Sequence, residues 1–291
     1  MLSYLLLSGI ANGCIYGLVA LSIVILVKGT GSVNFAQGEF VMMAGFAAYT
    51  CHVLWRLPYT PSLLAAIVGV AALAAVLYLM LRGLFDRRRT SSFLVATLGI
   101  SLILKGLARQ LWGGQGDAVP FPPLVDATFV FFDDFAVRAQ DLVVIGGALL
   151  VMGLFALFFA RTRTGHFLQA AADNAQAARL VGIRLDRVNL VAFSVSAAVS
   201  AAAGVLIAPV TPLHVDMGFG LFVKGFAAAV FGGLTSIPGA IAGGLAIGLI
   251  EALVGGYVST NMQDVTPFLV IFIVLLLMPA GLFGARRLRK I

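Results

Sequence analysis

Six stretches of this chain contain no Asp, Glu, Lys or Arg: residues 1–27, 57–81, 142–160, 188–215, 225–250 and 265–285. They make up half of its 291 residues. A helix needs about 20 apolar residues to cross a bilayer, and these runs are of that length or longer. In lipid a backbone must satisfy its own N–H and C=O groups, so a continuous apolar run becomes a helix. The alternating units of about ten residues that mark a membrane barrel are absent. Composition agrees, with 61% hydrophobic and 11% charged residues against about 25% charged in soluble domains. A soluble core of this size cannot bury so much apolar surface. The chain therefore reads as an all-α polytopic bundle, one transmembrane domain over 1–291. Disordered, disulfide-stapled and ordinary soluble-enzyme readings are excluded.

Nine segments are predicted: 3–27, 34–52, 60–82, 91–112, 140–160, 188–210, 220–236, 238–256 and 263–283. The segment 220–236 is short, carries Lys224 and the Gly232-Gly233 pair, and has a re-entrant course as its alternative. The first segment lacks a basic leader region and is read as a retained helix. The net charge of +7 sits in loops. Arg82–Arg89 and Arg161–Arg187 each carry +3 and the tail Arg286–Lys290 carries +4, whereas Arg109–Asp141 carries −3. Basic loops stay cytoplasmic, so nine crossings put the N-terminus and the 113–140 loop outside and the C-terminus inside. The positive excess thus reflects a lipid bilayer rather than nucleic acid. Cys14 and Cys51 lie on different predicted helices, which suggests neither a disulfide framework nor a metal site.

The 33 glycines carry positional information. Gly9, Gly13 and Gly17 recur every four residues, as do Gly239 and Gly243, then Gly244 and Gly248. That spacing lines one helix face and lets backbones approach closely. The stretch 29–40 is polar and rich in glycine between two apolar runs. Asn34 and Gln37 have capping-box spacing, predicting a helix that starts near Asn34. Glu39 then falls near its positive end, where an anion is favoured. These residues either cap a helix at the membrane edge or line a polar pathway, since irregular backbone at depth is tolerated only around cavities. Glu251 is a second intramembrane acid. Facing lipid it would cost about 3 kcal/mol, so it is expected to face inward, with Lys224 as one partner available. It serves as a structural partner or as a pathway or gating residue.

Catalytic signatures are missing. There is no phosphate-binding Gly-x-x-x-x-Gly-Lys-Ser/Thr loop, no nucleophile elbow and no His-Glu-x-x-His. The histidines His52, His166 and His214 stand apart from any ligand cluster. The chain is expected to be a transport subunit, not an enzyme, with no cofactor or metal of its own. Residues 161–187 form a long basic loop in which Phe167–Val181 favours helix and Gly182 is placed as its stop. Such a helix is either a solvated connector or a docking site for a partner that supplies energy.

Several segments carry a resemblance. They are Gly13-Cys-Ile-Tyr-Gly-Leu-Val-Ala-Leu, Val33-Asn-Phe-Ala-Gln-Gly-Glu, Val95-Ala-Thr-Leu-Gly-Ile-Ser-Leu-Ile-Leu and Ala170-Ala-Ala-Asp-Asn with Leu180-Val-Gly-Ile. Lys224-Gly-Phe-Ala-Ala-Ala-Val-Phe-Gly-Gly and Gly248-Leu-Ile-Glu-Ala-Leu follow. In this order the chain resembles the LivH-type permeases of branched-chain amino-acid ABC importers over roughly 9–285. Gln37 departs from the pattern, because the family often carries His there. The resemblance implies a bacterial inner-membrane subunit paired with a second, homologous permease. Two cytoplasmic ATPase subunits using ATP and Mg, and a periplasmic binding protein, would complete the importer. It also implies that 167–182 is the coupling helix, with Ala170, Ala171, Asp173 and Gly182 at matching positions. The expected cargo is branched-chain or other hydrophobic amino acids or related small solutes. Alternatives are a stand-alone secondary transporter or channel using Glu39 and Glu251, or a permease of a related sugar or urea importer.

Overall fold

The computed structural model describes residues 2–84, 90–113, 118–125, 127–131, 135–278 and 280–284. The basic cluster at 87–89, the acids at 117, 126, 133 and 134, and the tail at 286–290 lie outside the described residues. The helices are α1 (Leu2–Thr30), α2 (Gln37–Tyr49), α3 (Tyr59–Leu81), α4 (Thr90–Trp112), α5 (Ala139–Arg161), α6 (Arg163–Asp173), α7 (Ala175–Leu180), α8 (Leu185–Ile207), α9 (Met217–Gly232), α10 (Ile237–Tyr257) and α11 (Thr266–Leu277). A π-helical turn, Thr50–Leu54, continues α2. An antiparallel hairpin of β1 (Thr128–Phe131) and β2 (Phe135–Arg138) precedes α5.

Among the described residues nine apolar helices follow the nine predicted segments in order, and the polytopic helical bundle holds. Six of them (α1, α3, α4, α5, α8 and α10) are long and apolar enough to cross a membrane. Three are shorter than predicted. The 34–52 segment begins its helix only at Gln37. The 220–236 and 263–283 segments yield α9 and α11, about 24 and 18 Å long at 1.5 Å per residue for 16 and 12 residues. Gly233, with φ of 102°, stops α9. The hairpin is an addition that charge counting in the 113–140 loop did not anticipate.

Core and lipid faces follow from which helices are surrounded. From Gly13 to Leu26 every residue of α1 is buried, because α10, α8, α9 and α5 all pack against it. The glycine rows make this closeness physical. A side-chain carbon on Gly13 would lie 2.9 Å from the Leu245 Cα, and one on Gly244 would collide with the backbone of Gly17. Two rows on α10 serve two neighbours. Gly244 and Gly248 abut α1, while Gly239 and Gly243 abut α9. By contrast α3, α4 and α5 each bury one stripe and expose leucines and valines on the other side, including Leu102, Leu149 and Val68. Those faces suit hydrocarbon.

The bundle has two distinguishable ends. At one, Arg138 of the hairpin stacks over Tyr4 and Gly256 abuts Leu5. At the other, Gly29 meets Leu168 of α6 and Ala192 of α8. The segment after α11 returns to this second end, where the Leu282 and Phe283 N–H groups donate to the last carbonyls of α9, Phe231 and Gly232, at 2.9 and 3.1 Å.

Candidate functional site

Two broken helices start side by side in the bundle. After α1, Gly31 adopts a left-handed φ of 73° and the chain turns back through 32–36. The capping box predicted from Asn34 and Gln37 does not form. Asn34 Oδ1 accepts the Ala36 N–H at 2.9 Å, α2 begins at Gln37, and its N-cap Ala36 makes no side-chain bond. The reason is tertiary. The Gln37 side chain is drawn to α8, its Nε2 donating to Ser196 Oγ at 2.8 Å and Ser200 Oγ at 2.7 Å, while its Oε1 accepts from Asn34 Nδ2 at 3.4 Å. Ser200 in turn donates to Ser22 Oγ of α1 at 2.8 Å, and Ser22 to the Val19 carbonyl. Phe35 N–H donates to Thr97 Oγ1 of α4 at 3.3 Å. Asn34, Gln37, Ser22, Ser196 and Ser200 are all buried. This polar seam lies within the bundle, so 29–40 is more than an edge cap.

Next to it, Glu39 sits in the first turn of α2, as predicted, and is only 1% exposed. Its Oε1 accepts from Ser101 at 2.9 Å and lies 4.0 Å from Lys105 Nζ. Lys105 also pairs with Asp216 at 3.2 Å and lies 5.7 Å from the Phe219 ring. Asp216 is the N-cap residue of α9. The starts of α2 and α9 touch, since a side chain on Gly38 would strike the Gly218 carbonyl. Both positive helix ends thus face the Glu39 carboxylate, which the macrodipole stabilises.

The second acid repeats this chemistry. Glu251, also buried, accepts from Lys224 at 2.6 Å. Lys224 Nζ lies 5.5 Å from the Tyr16 ring and 3.7 Å from the exposed Asp264. Glu251 therefore faces inward, and its partner is Lys224. In both clusters a buried glutamate, a half-buried lysine and an exposed aspartate meet. Oε2 of each glutamate lacks a hydrogen-bond partner among the described residues. The structure does not bring Asn34, Gln37, Glu39, Lys224 and Glu251 into one cluster: Asn34 and Gln37 lie in the serine seam, Glu39 in the ion cluster beside it, and Lys224 and Glu251 in a separate one. Sequence reasoning passed over Ser101, Lys105, Asp216, Ser196 and Ser200. Their signal was four-residue spacing of polar groups inside apolar runs: Thr97, Ser101 and Lys105 on one helix, Ser196 and Ser200 on another. A shallow recess at the hairpin end, lined by Pro123, Thr128, Arg138, Gln140 and Pro209, contains neither glutamate.

The other feature is the loop between α5 and α8. The single helix predicted over Phe167–Val181 is two helices, because Asn174 ends α6 and caps α7, its Oδ1 accepting the Gln176 and Ala177 N–H groups at 3.0 Å. Asn favours that role. Gly182 stops the pair with a φ of 84°, as predicted, and its N–H reaches the Arg179 carbonyl at 3.0 Å. Thr162 caps α6 through the Gly165 N–H. Gly165, Leu168, Ala171, Ala175 and Ala178 form the buried stripe. Ala170, Asp173 and Gly182 are exposed, whereas Ala171 packs inward and offers no contact to a partner. Phe167, Leu180 and Val181 project outward, Leu180 at 89% exposure.

Apolar spans, helices broken beside a buried polar seam and an exposed helical pair at one end define a membrane transport permease. The family model described as branched-chain amino acid transport system / permease component matches residues 5–275, and the chain belongs to that family. It is 30% identical over 298 residues to the permease LivH of the high-affinity branched-chain amino acid transport system of Salmonella typhimurium, covering 98% of this chain and 96% of that one. The corresponding permease BraD of Pseudomonas aeruginosa is 28% identical, with coverage of 98% and 97%. A more distant relative is LsrC of Yersinia enterocolitica, an autoinducer 2 import system permease, 31% identical over 64% of this chain and 47% of its own. The solved structure of PsaBC from Streptococcus pneumoniae in complex with a Fab shares the fold, with a TM-score of 0.50 at 15% identity over 94% of this chain and 91% of that one.

Proposed function

We propose that this chain is the membrane permease subunit of an ATP-driven importer of branched-chain or other hydrophobic amino acids. It lies in the inner membrane with the hairpin end outside and the α6–α7 end in the cytoplasm. It binds no cofactor and hydrolyses no ATP. Two cytoplasmic ATPase subunits, using ATP and Mg, dock on α6–α7, and a homologous second permease and a periplasmic binding protein complete the assembly. The observation that carries this reading is the α6–α7 pair. One stripe of it is locked to the bundle, and its other side presents Phe167, Leu180 and Val181. Three apolar side chains projecting beyond the spanning helices suit a protein partner. LivH and BraD, each aligned with 98% of this chain, support the reading of the cargo. The test is reconstitution with the partner subunits and radiolabelled leucine. Uptake is expected to require ATP and the binding protein and to be lost in Leu180→Asp. Uptake by the isolated chain along a proton or sodium gradient would overturn the proposal in favour of a secondary transporter.

A further inference from the structure

The Lys105–Asp216 pair occupies an unusual place. Lys105 lies seven residues before the end of α4 at Trp112, so about 10 Å inside that end at 1.5 Å per residue. Its helix neighbours Leu102, Ile103 and Leu107 are exposed in the manner of lipid-facing residues. Lys105 instead reaches across to the start of α9, where its side chain remains 24% exposed and that of Asp216 is 65% exposed. Phe219, also exposed, flanks them. On the same helix Gly220 is exposed, and a side chain there would meet nothing within 4 Å. An ion pair left open this far from the end of an apolar helix is costly against hydrocarbon; water or a polar solute satisfies it. Lys105 is anchored from behind by Glu39, which Ser101 holds. The lysine therefore keeps a counter-charge when Asp216 turns to another cation. A solute carrying one positive and one negative group can replace the pair by two charge-assisted contacts, with no change in net charge.

We infer that the face of α4 and α9 bearing Lys105, Asp216, Phe219 and Gly220 is a wall of the translocation path, and that Lys105 and Asp216 receive the α-carboxylate and α-ammonium of a zwitterionic amino acid. This inference rests on the importer reading above and adds the station and its chemistry. Phe219 supplies the apolar surface for the amino-acid side chain.

The test uses the complete reconstituted transporter. If the wild type shows no ATP-dependent leucine uptake, the importer reading fails. Given wild-type uptake, Lys105→Met and Asp216→Asn are each expected to lower leucine taken up per ATP hydrolysed by roughly tenfold, with partial rescue by Lys105→Arg. An unchanged ratio would overturn the inference. Gly220→Cys, in a background of Cys14→Ala and Cys51→Ala, is expected to react with a charged, water-soluble methanethiosulfonate. Leucine should protect it, while 4-methylpentanoate, lacking the amine, and isopentylamine, lacking the carboxylate, should not. Absence of labelling would mean that lipid or the second permease covers this face. Equal protection by all three compounds would mean that only the apolar side chain is recognised. Either result sinks the proposal.

Discussion

Two single residues carry burdens that can be measured separately. Lys224 and Glu251 form a close ion pair within the bundle, and removing Lys224 leaves the buried Glu251 carboxylate without a cation, whereas removing Glu251 still leaves Lys224 beside Asp264. Lys224→Met is therefore expected to destabilise the protein by about 3–5 kcal/mol, read as a lower melting temperature in detergent. The double variant Glu251→Leu with Lys224→Met replaces both charges by apolar groups and is expected to recover most of that loss. If the double variant is stable yet does not transport, the pair acts in gating; if it transports, the pair is structural. Gln37 poses a related case. Its amide satisfies two serine hydroxyls and the Ser196 carbonyl, so Gln37→Leu should cost about 1–3 kcal/mol through buried groups left unpaired. A melting temperature equal to wild type would show that the seam takes up water instead.

At the scale of elements, close packing and capping make opposite demands on similar residues. Gly146 and Gly147 are adjacent on α5, yet only Gly147 is pressed, with Leu206 2.7 Å from where a side-chain carbon would stand. Gly146→Ala is expected to be neutral or to stabilise by a few tenths of a kcal/mol through helix propensity. Gly13→Leu, on the α1–α10 contact, should prevent folding, seen as loss of a monodisperse peak in size-exclusion chromatography. Between α6 and α7 the Asn174 cap matters in a different way. Asn174→Ala should weaken the helix pair by about 1 kcal/mol. In the reconstituted importer the readout is uptake per ATP hydrolysed, which is expected to fall while the bundle's melting temperature hardly moves. An unchanged ratio would show that coupling does not depend on the break between the helices.

For the whole molecule, the two ends of the bundle make a sidedness prediction. Asp264 and the hairpin lie toward one end, and Leu180 and Gly284 toward the other. Cysteines introduced by Asp264→Cys and Leu180→Cys, with Cys14 and Cys51 replaced, should label from opposite sides of sealed vesicles, and Phe283→Cys, an exposed position in the segment after α11, from the Leu180 side. Labelling of the Asp264 and Leu180 positions from the same side would refute the arrangement of ends. The net arrangement is a central α1 ringed by helices, two short helices starting against each other, and a segment after α11 that closes the carbonyl end of α9.

Charge-free runs, which depend only on local sequence, determined the bundle and the order of the nine apolar helices among the described residues. Gly182 was equally legible, because a helix stop is a local backbone preference. Partners were not. Gln37 caps nothing, because serines 159 and 163 positions away hold its amide N–H groups and its Oε1 accepts from the Asn34 side chain instead of the Asn34 backbone N–H. Ala171 faces inward, because α1, α5 and α8 all pack against the side of α6 that carries Gly165, Leu168 and Ala171. Lys105 meets Glu39 and Asp216 only once α4 lies beside the starts of α2 and α9. Periodicity along the chain determines which side of a helix is apolar. Which side chains share one low-dielectric space, and so which charges and hydrogen bonds must pair, was decided by packing between helices far apart in sequence.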